Sequence, residues 1–261
     1  MLVYRPAIYE HSAAMIGRTI AAVAADADLL AEAHAAAAAR YRLTHVVVGM
    51  DIYGTDAAAW RAATGKPAPV DLATLADTPL PPFPAGGQTN VLRAAAALRR
   101  DLPASVQVRV PVTGPFSLAA QVVGFEGLLM GLLDEPATAQ RALDRLAEAI
   151  EHYIRRVSPG CGVTLFESAA SPPLVRPEDF RRLVLPRLAR LMAAARRLGR
   201  CDGDEDAVLA PGCRAELILG GATGPILPLL LTCGLGIAVQ AYQRWVFEAV
   251  RANKPLDQFA R

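Results

Sequence analysis

His45-Val-Val-Val-Gly-Met-Asp51 is short, rich in β-branched residues and closed by an acid, which is the pattern of a strand buried in a parallel sheet. Upstream, Ala, Leu and Met recur at three- and four-residue spacing over Ser12 to Ala25 and Asp28 to Tyr41, so both segments read as helix. Downstream the alternation repeats. A helix is expected over Thr55 to Ala63 and over Gln88 to Arg100, and Val106 to Val112 alternates as a strand. Helices follow from Pro115 to Leu133 and from Pro136 to Val157, then a strand from Gly162 to Phe166. A long amphipathic helix runs from Arg176 to Leu198, with short strands at Val208 to Ala210 and Glu216 to Leu219. Lys66 to Gln88 carries six prolines and glycines between Pro79 and Gly87 and reads as a long surface loop, of the kind that often serves function.

Strands separated by helices of this length pair in parallel through right-handed crossovers, which leaves a closed barrel or an open doubly wound sheet. Periodicity does not choose between them. In either, reactive groups gather at the C-terminal ends of the strands, so Asp51, Thr113-Gly114 and Glu167-Ser168 are expected on one face.

The 261 residues suit one domain spanning 1–261, since alternating barrels routinely reach about 250 residues. A hydrophobic fraction of 53% supplies a sizeable core, and a net charge of +2 marks no nucleic-acid surface. Cys161, Cys201, Cys213 and Cys233 form no CxxC pair and no signal peptide opens the chain, so a reducing cytoplasm is the expected compartment. Leu217 to Val239 is uncharged and long enough to cross a bilayer, but seven glycines and prolines punctuate it, and no membrane span is expected. There is no GxxxxGK phosphate loop and no GxSxG nucleophile elbow.

Asp51 closes its strand where burial and ligand contact tune a carboxylate, or else caps the helix that begins near Thr55. Glu167 and Ser168 offer a carboxylate and a hydroxyl to a polar substrate or metal, or cap the turn after them. Gly114 allows close backbone approach with Phe116 as an apolar wall behind it, although a Gly-Pro turn needs no ligand to explain it. His11 and Arg18 share a helix face and either reach an anionic group or form a solvated edge. Cys201 and Cys213 depart from zinc-finger spacing, and the acids Asp202, Asp204, Glu205 and Asp206 lack the calcium-loop pattern.

Tyr9-Glu-His-Ser-Ala-Ala-Met-Ile-Gly-Arg18, Gly49-Met-Asp51, Gly114-Pro-Phe-Ser-Leu118, Leu165-Phe-Glu-Ser168 and Pro177-Glu-Asp-Phe-Arg-Arg-Leu-Val-Leu-Pro186 follow in a telling order. Together they resemble the uroporphyrinogen decarboxylase superfamily, which includes cobamide-dependent methyltransferases of the coenzyme M type. The resemblance implies an α/β fold, a (β/α)8 TIM-type barrel shortened or irregular at its C-terminal end, with the pocket at the strand C-termini. It matches Asp51 to the aspartate that contacts pyrrole nitrogens in the decarboxylases, Ser168 to a pocket serine, and Gly114 to Phe116 to a cleft wall.

Departures from the family are specific. The MRQAGRY arginine motif is missing, and Gln121 stands where the decarboxylases have a pocket tyrosine. Without cationic partners, burying several substrate carboxylates would cost several kcal/mol each. The methyltransferase branch holds zinc through an HxC pair and a later cysteine. Here Ile218 and Gly220 occupy the pair's positions, Cys213 is the remaining ligand, and it precedes that segment instead of following it.

The expectation is a methyltransferase-like enzyme acting on a small methylated compound or a corrinoid-bound methyl group. Asp51, Glu167 and Ser168 are the candidate chemical groups, Tyr53, Gly114, Phe116, Gln121, His11 and Arg18 the candidate substrate contacts, and Cys213 the candidate zinc ligand. A partner corrinoid protein and a homodimer go with that expectation. The alternatives are decarboxylation of a tetrapyrrole or related acid, and a non-catalytic barrel that binds a ligand.

Overall fold

Among the described residues three helices precede the first strand: α1 (Tyr9–Met15), α2 (Ile20–Ala25) and α3 (Ala27–Tyr41). The single helix expected over Ser12 to Ala25 breaks at Gly17, whose φ of +66° is left-handed, and restarts where the Thr19 hydroxyl accepts from Ala22 N–H. After β1 (His45–Val47) come α4 (Ile52–Thr64), α5 (Leu72–Asp77), α6 (Gly87–Asp101), β2 (Gln107–Thr113), α7 (Pro115–Val123), α8 (Phe125–Asp134) and α9 (Pro136–Ile154). Among the described residues there follow β3 (Gly162–Glu167), α10 (Pro177–Asp179), a π-turn (Phe180–Val184), α11 (Leu185–Arg197) and β4 (Ala215–Leu219). The computed structural model describes residues 8–65, 69–79, 83–170, 175–198 and 215–219.

Among the described residues four strands lie side by side in chain order, β1-β2-β3-β4, and each of their pairings is parallel. A doubly wound sheet reverses its strand order at a switch point, and these four strands do not. Their order is the one a (β/α) barrel uses. The expected eight-strand closure goes beyond the described residues, which establish an α/β fold with a parallel sheet.

Along β2 and β3 one face of the sheet is aliphatic up to the strand ends: Val108, Val110, Val112, Val163 and Leu165 are all buried. It is the helix side, because Cys161, two residues before Val163, directs its Sγ to the Ala95 carbonyl of α6. This alternation sends the next residue of the series, Glu167, outward toward the helices at the C-terminal end of the sheet.

The strand expected from His45 to Asp51 pairs only as far as Val47, and the sequence of β2 explains why. Gln107 N–H donates to Thr44 and Val48 N–H donates to Arg109, so the odd residues of β2 bond toward β1. Pro111, next in that series, has no N–H with which to continue the ladder.

Three other expectations are corrected. The loop expected from Lys66 to Gln88 contains α5, which buries Leu72, Leu75 and Ala76 against its neighbours and is capped by Asp71. The helix expected from Pro115 to Leu133 is two helices, bent by 107° at Gly124, where φ is +94°. The helix over residues 177–197 carries a π-turn because Pro186 lacks the N–H for a regular turn, and Leu185 N–H reaches back to Phe180 instead. Among the described residues no single helix is long and apolar enough to cross a membrane. Of the apolar stretch from Leu217 to Val239, residues 217–219 belong to β4 and the rest lies outside the described residues, as does the strand expected at Val208 to Ala210.

Candidate active site at the strand ends

Asp51 stands where β1 gives way to α4, and it is exposed. Its Oδ1 accepts from Gly54 N–H at 2.9 Å, so the same carboxylate that closes the strand also caps the helix. Capping places Tyr53 in the first turn of α4, and its hydroxyl reaches the Ser168 Oγ at 2.7 Å. Residues 115 positions apart are thereby joined across the ends of β1 and β3. Both are part-buried, and desolvation, with the Glu167 charge adding to it, raises the Tyr53 phenol above its ordinary value despite the Ser168 hydrogen bond.

Glu167 is fully buried and faces the N-terminus of α7. That helix has Gly114 at its cap position and so no side chain of its own to receive its first N–H groups. Glu167 supplies what is missing from another strand. Its Oε2 accepts from Phe116 N–H at 3.1 Å, and its Oε1 accepts from Ser117 N–H at 2.7 Å and from the Ser117 hydroxyl at 2.5 Å. Burial pushes the carboxyl up to about 7 against the pull of those donors. Gly114 is required for this approach, since a Cβ there would lie 2.3 Å from Oε2. Phe116 is only 1% exposed and packs in the core, so the apolar wall expected there faces inward.

Sequence reasoning missed two members of this cluster. Ser117 sits inside the quoted Gly-Pro-Phe-Ser run, and its Oγ also accepts from Ala169 N–H at 3.0 Å. Asp56, in α4, is buried and accepts from Thr113 N–H and from Gln88 Nε2, both at 2.8 Å. Desolvation raises its carboxyl above the ordinary range, with the Asp51 charge adding to the effect. The available signal for Asp56 was its spacing of five from Asp51, which carries it past the exposed cap and around to the inner side of the helix.

The other expected contacts are not brought here. His11 hydrogen-bonds the Tyr41 hydroxyl at 2.6 Å, and Tyr41 lies just before β1, whereas Asp51 lies past its other end. At about 3.3 Å per strand residue, His11 is at the opposite end of the sheet from the candidate site. Arg18 is exposed beyond the end of α1. Gln121 is exposed on α7, roughly 9 Å along the helix from its first residue. Cys213 lies outside the described residues. Among the described residues no three His, Cys, Asp or Glu side chains are grouped to hold a metal ion. With Ile218 and Gly220 in place of the HxC pair, the residues at those positions do not fit the family's zinc.

The family model described as uroporphyrinogen decarboxylase (URO-D) matches residues 6–235. Among solved structures, a methyltransferase from Methanosarcina mazei is similar with a TM-score of 0.70 at 19% identity, covering 91% of this chain and 69% of that one. At that identity the likeness is one of fold. No curated protein matches the chain.

Proposed function

We propose, because the chain belongs to the uroporphyrinogen decarboxylase family, that it is a methyltransferase-like member acting on a small methylated compound or a corrinoid-bound methyl group. The observation that carries this reading is the Tyr53–Ser168 contact beside Asp51, which gathers two hydroxyls and a carboxylate at the C-terminal ends of two parallel strands. Hydroxyls that both donate and accept suit a polar, uncharged group such as an amide, and Asp51 adds a single acceptor. The Methanosarcina methyltransferase, similar in fold, supports the choice of branch.

Against a polycarboxylate substrate stands the way α7 is used. Its N-terminal N–H groups, which would otherwise attract an anion, are taken up by Glu167. Arg176, in the loop after β3, is already paired with Asp179 at 2.8 Å. Glu167 therefore supports the site in this reading, while Asp51, Tyr53 and Ser168 meet the ligand.

Absorbance titrations with hydroxocobalamin and with coproporphyrin test the proposal. Corrinoid binding is expected, weakened at least about tenfold by Tyr53→Phe or Ser168→Ala, which corresponds to losing one good hydrogen bond at 1.4 kcal/mol per decade. Porphyrin binding in its place would move the chain to the decarboxylases. Binding of neither would overturn both enzyme readings in favour of an inert barrel.

A further inference from the structure

We infer that Asp56 is a positioning residue for the Tyr53–Ser168 pair, acting through a closed ring of hydrogen bonds that leaves α4 and returns to it. The ring begins where Thr113 N–H donates to Asp56 Oδ2 at 2.8 Å, holding the last residue of β2. Gly114 N–H then donates to the Phe166 carbonyl at 2.7 Å, tying the turn to β3. At the far side of the turn, Ser117 donates twice to Glu167, and Ala169 N–H donates to the Ser117 Oγ. Ala169 adjoins Ser168, whose Oγ meets the Tyr53 hydroxyl, and Tyr53 lies three residues before Asp56 on the same helix.

Every link is buried or part-buried, where a hydrogen bond has little competition from water and a broken one leaves a costly orphan. Such a ring has few independent degrees of freedom. Shifting the Thr113–Ser117 turn displaces Ser117 Oγ, then the Ala169 peptide, and with it the Ser168 hydroxyl. Asp56 also anchors an outer arm: Gln88 Nε2 donates to its Oδ1, while Gln88 Oε1 accepts from Ala85 N–H at 3.2 Å. The segment leading into α6 is thus joined to the same ring.

That the pair contacts a ligand rests on the proposed function; the coupling does not, and its test needs no ligand. The protein is labelled with 3-fluorotyrosine, the Tyr53 resonance is assigned by its loss in Tyr53→Phe, and amide exchange is followed at Ala169. Asp56→Leu and Ser117→Ala are each expected to move the Tyr53 resonance and to speed Ala169 exchange at least about tenfold, while amides of α3 and α9 stay unchanged. Asp56→Asn keeps an acceptor for Thr113 and is expected to restore both readouts to within about twofold. A folded Asp56→Leu protein with Tyr53 and Ala169 unaltered would overturn the inference and leave Asp56 a local cap. Should Asp56→Leu fail to fold, the smaller Asp56→Ala decides by the same criterion, since Ser117→Ala removes the acceptor of Ala169 N–H directly. Coupling without corrinoid binding would sink the functional reading alone.

Discussion

At the scale of single residues, the site depends on carboxylates whose partners lie on other elements. Asp51 was readable in the chain because an acid ending a β-branched run has few places to go, and its cap follows from the helix beside it. Glu167 was readable as a strand-end acid, but its role was not. Nothing local to Leu165-Phe-Glu-Ser168 shows that a helix fifty residues earlier lacks a cap. Gly114→Ala tests that role, because the new Cβ would press on a carboxylate pinned by three donors and unable to yield. A loss of about 1–3 kcal/mol is expected in urea unfolding. Gly131→Ala is the control: its Cβ would meet the Cδ2 of Leu72, the free end of a flexible side chain. Better helix propensity there offsets the contact, and a change below about 1 kcal/mol is expected.

Among the elements, sequence patterning located nearly every helix and strand, and the differences cluster at prolines and glycines. Pro111 shortens the pairing of β1, Pro186 forces the π-turn before α11, and Gly124 splits a predicted helix into α7 and α8. Hydrophobic periodicity does not register these, because it counts apolar positions and ignores which backbone groups can bond. The join between α9 and α11 was likewise hidden. Glu151 is 4% exposed and is met by Arg155 and Arg190 at 2.6 Å and by Arg197 at 3.6 Å. Burial works against its charge, yet the two nearer guanidinium groups outweigh it and hold the carboxyl below its usual range. Glu151→Gln is expected to destabilise by about 1–2 kcal/mol, moderated because the arginines remain solvated, and chemical denaturation checks it.

For the molecule as a whole, two buried groups set opposing responses to pH. His34 has its Nε2 at 3.0 Å from the N–H and 3.1 Å from the carbonyl of Gly49, and burial depresses its pKa to about 4 from 6.5. Its contribution is complete above pH 6.5 and lost as pH falls toward 4, about 3 kcal/mol in all. Glu167 behaves in reverse: raised from 4.5 to about 7, it favours the fold below pH 4.5, and that contribution is lost as pH rises through 7. Between 4.5 and 6.5 the two slopes cancel. Urea unfolding across pH 4 to 7 should therefore show a steeper rise of stability with pH in Glu167→Gln than in the unaltered chain. Equal slopes in the two proteins would show that Glu167 titrates alike in the folded and unfolded chain, and would overturn the raised value.

The amino-acid order alone determined the alternation of strand and helix, the parallel pairing it demands, and the family, because these rest on periodicities and short motifs that survive without knowledge of contacts. It also placed Asp51, Gly114 and Glu167-Ser168 at strand ends. Only the tertiary structure decided which of these touch. It joined Tyr53 to Ser168, turned Glu167 onto α7, drew in Asp56 and Ser117, and left His11 at the far end of the sheet. The physical reason is that hydrogen bonds between elements are chosen by packing, and the partners they select stand 30 to 115 residues apart in the chain.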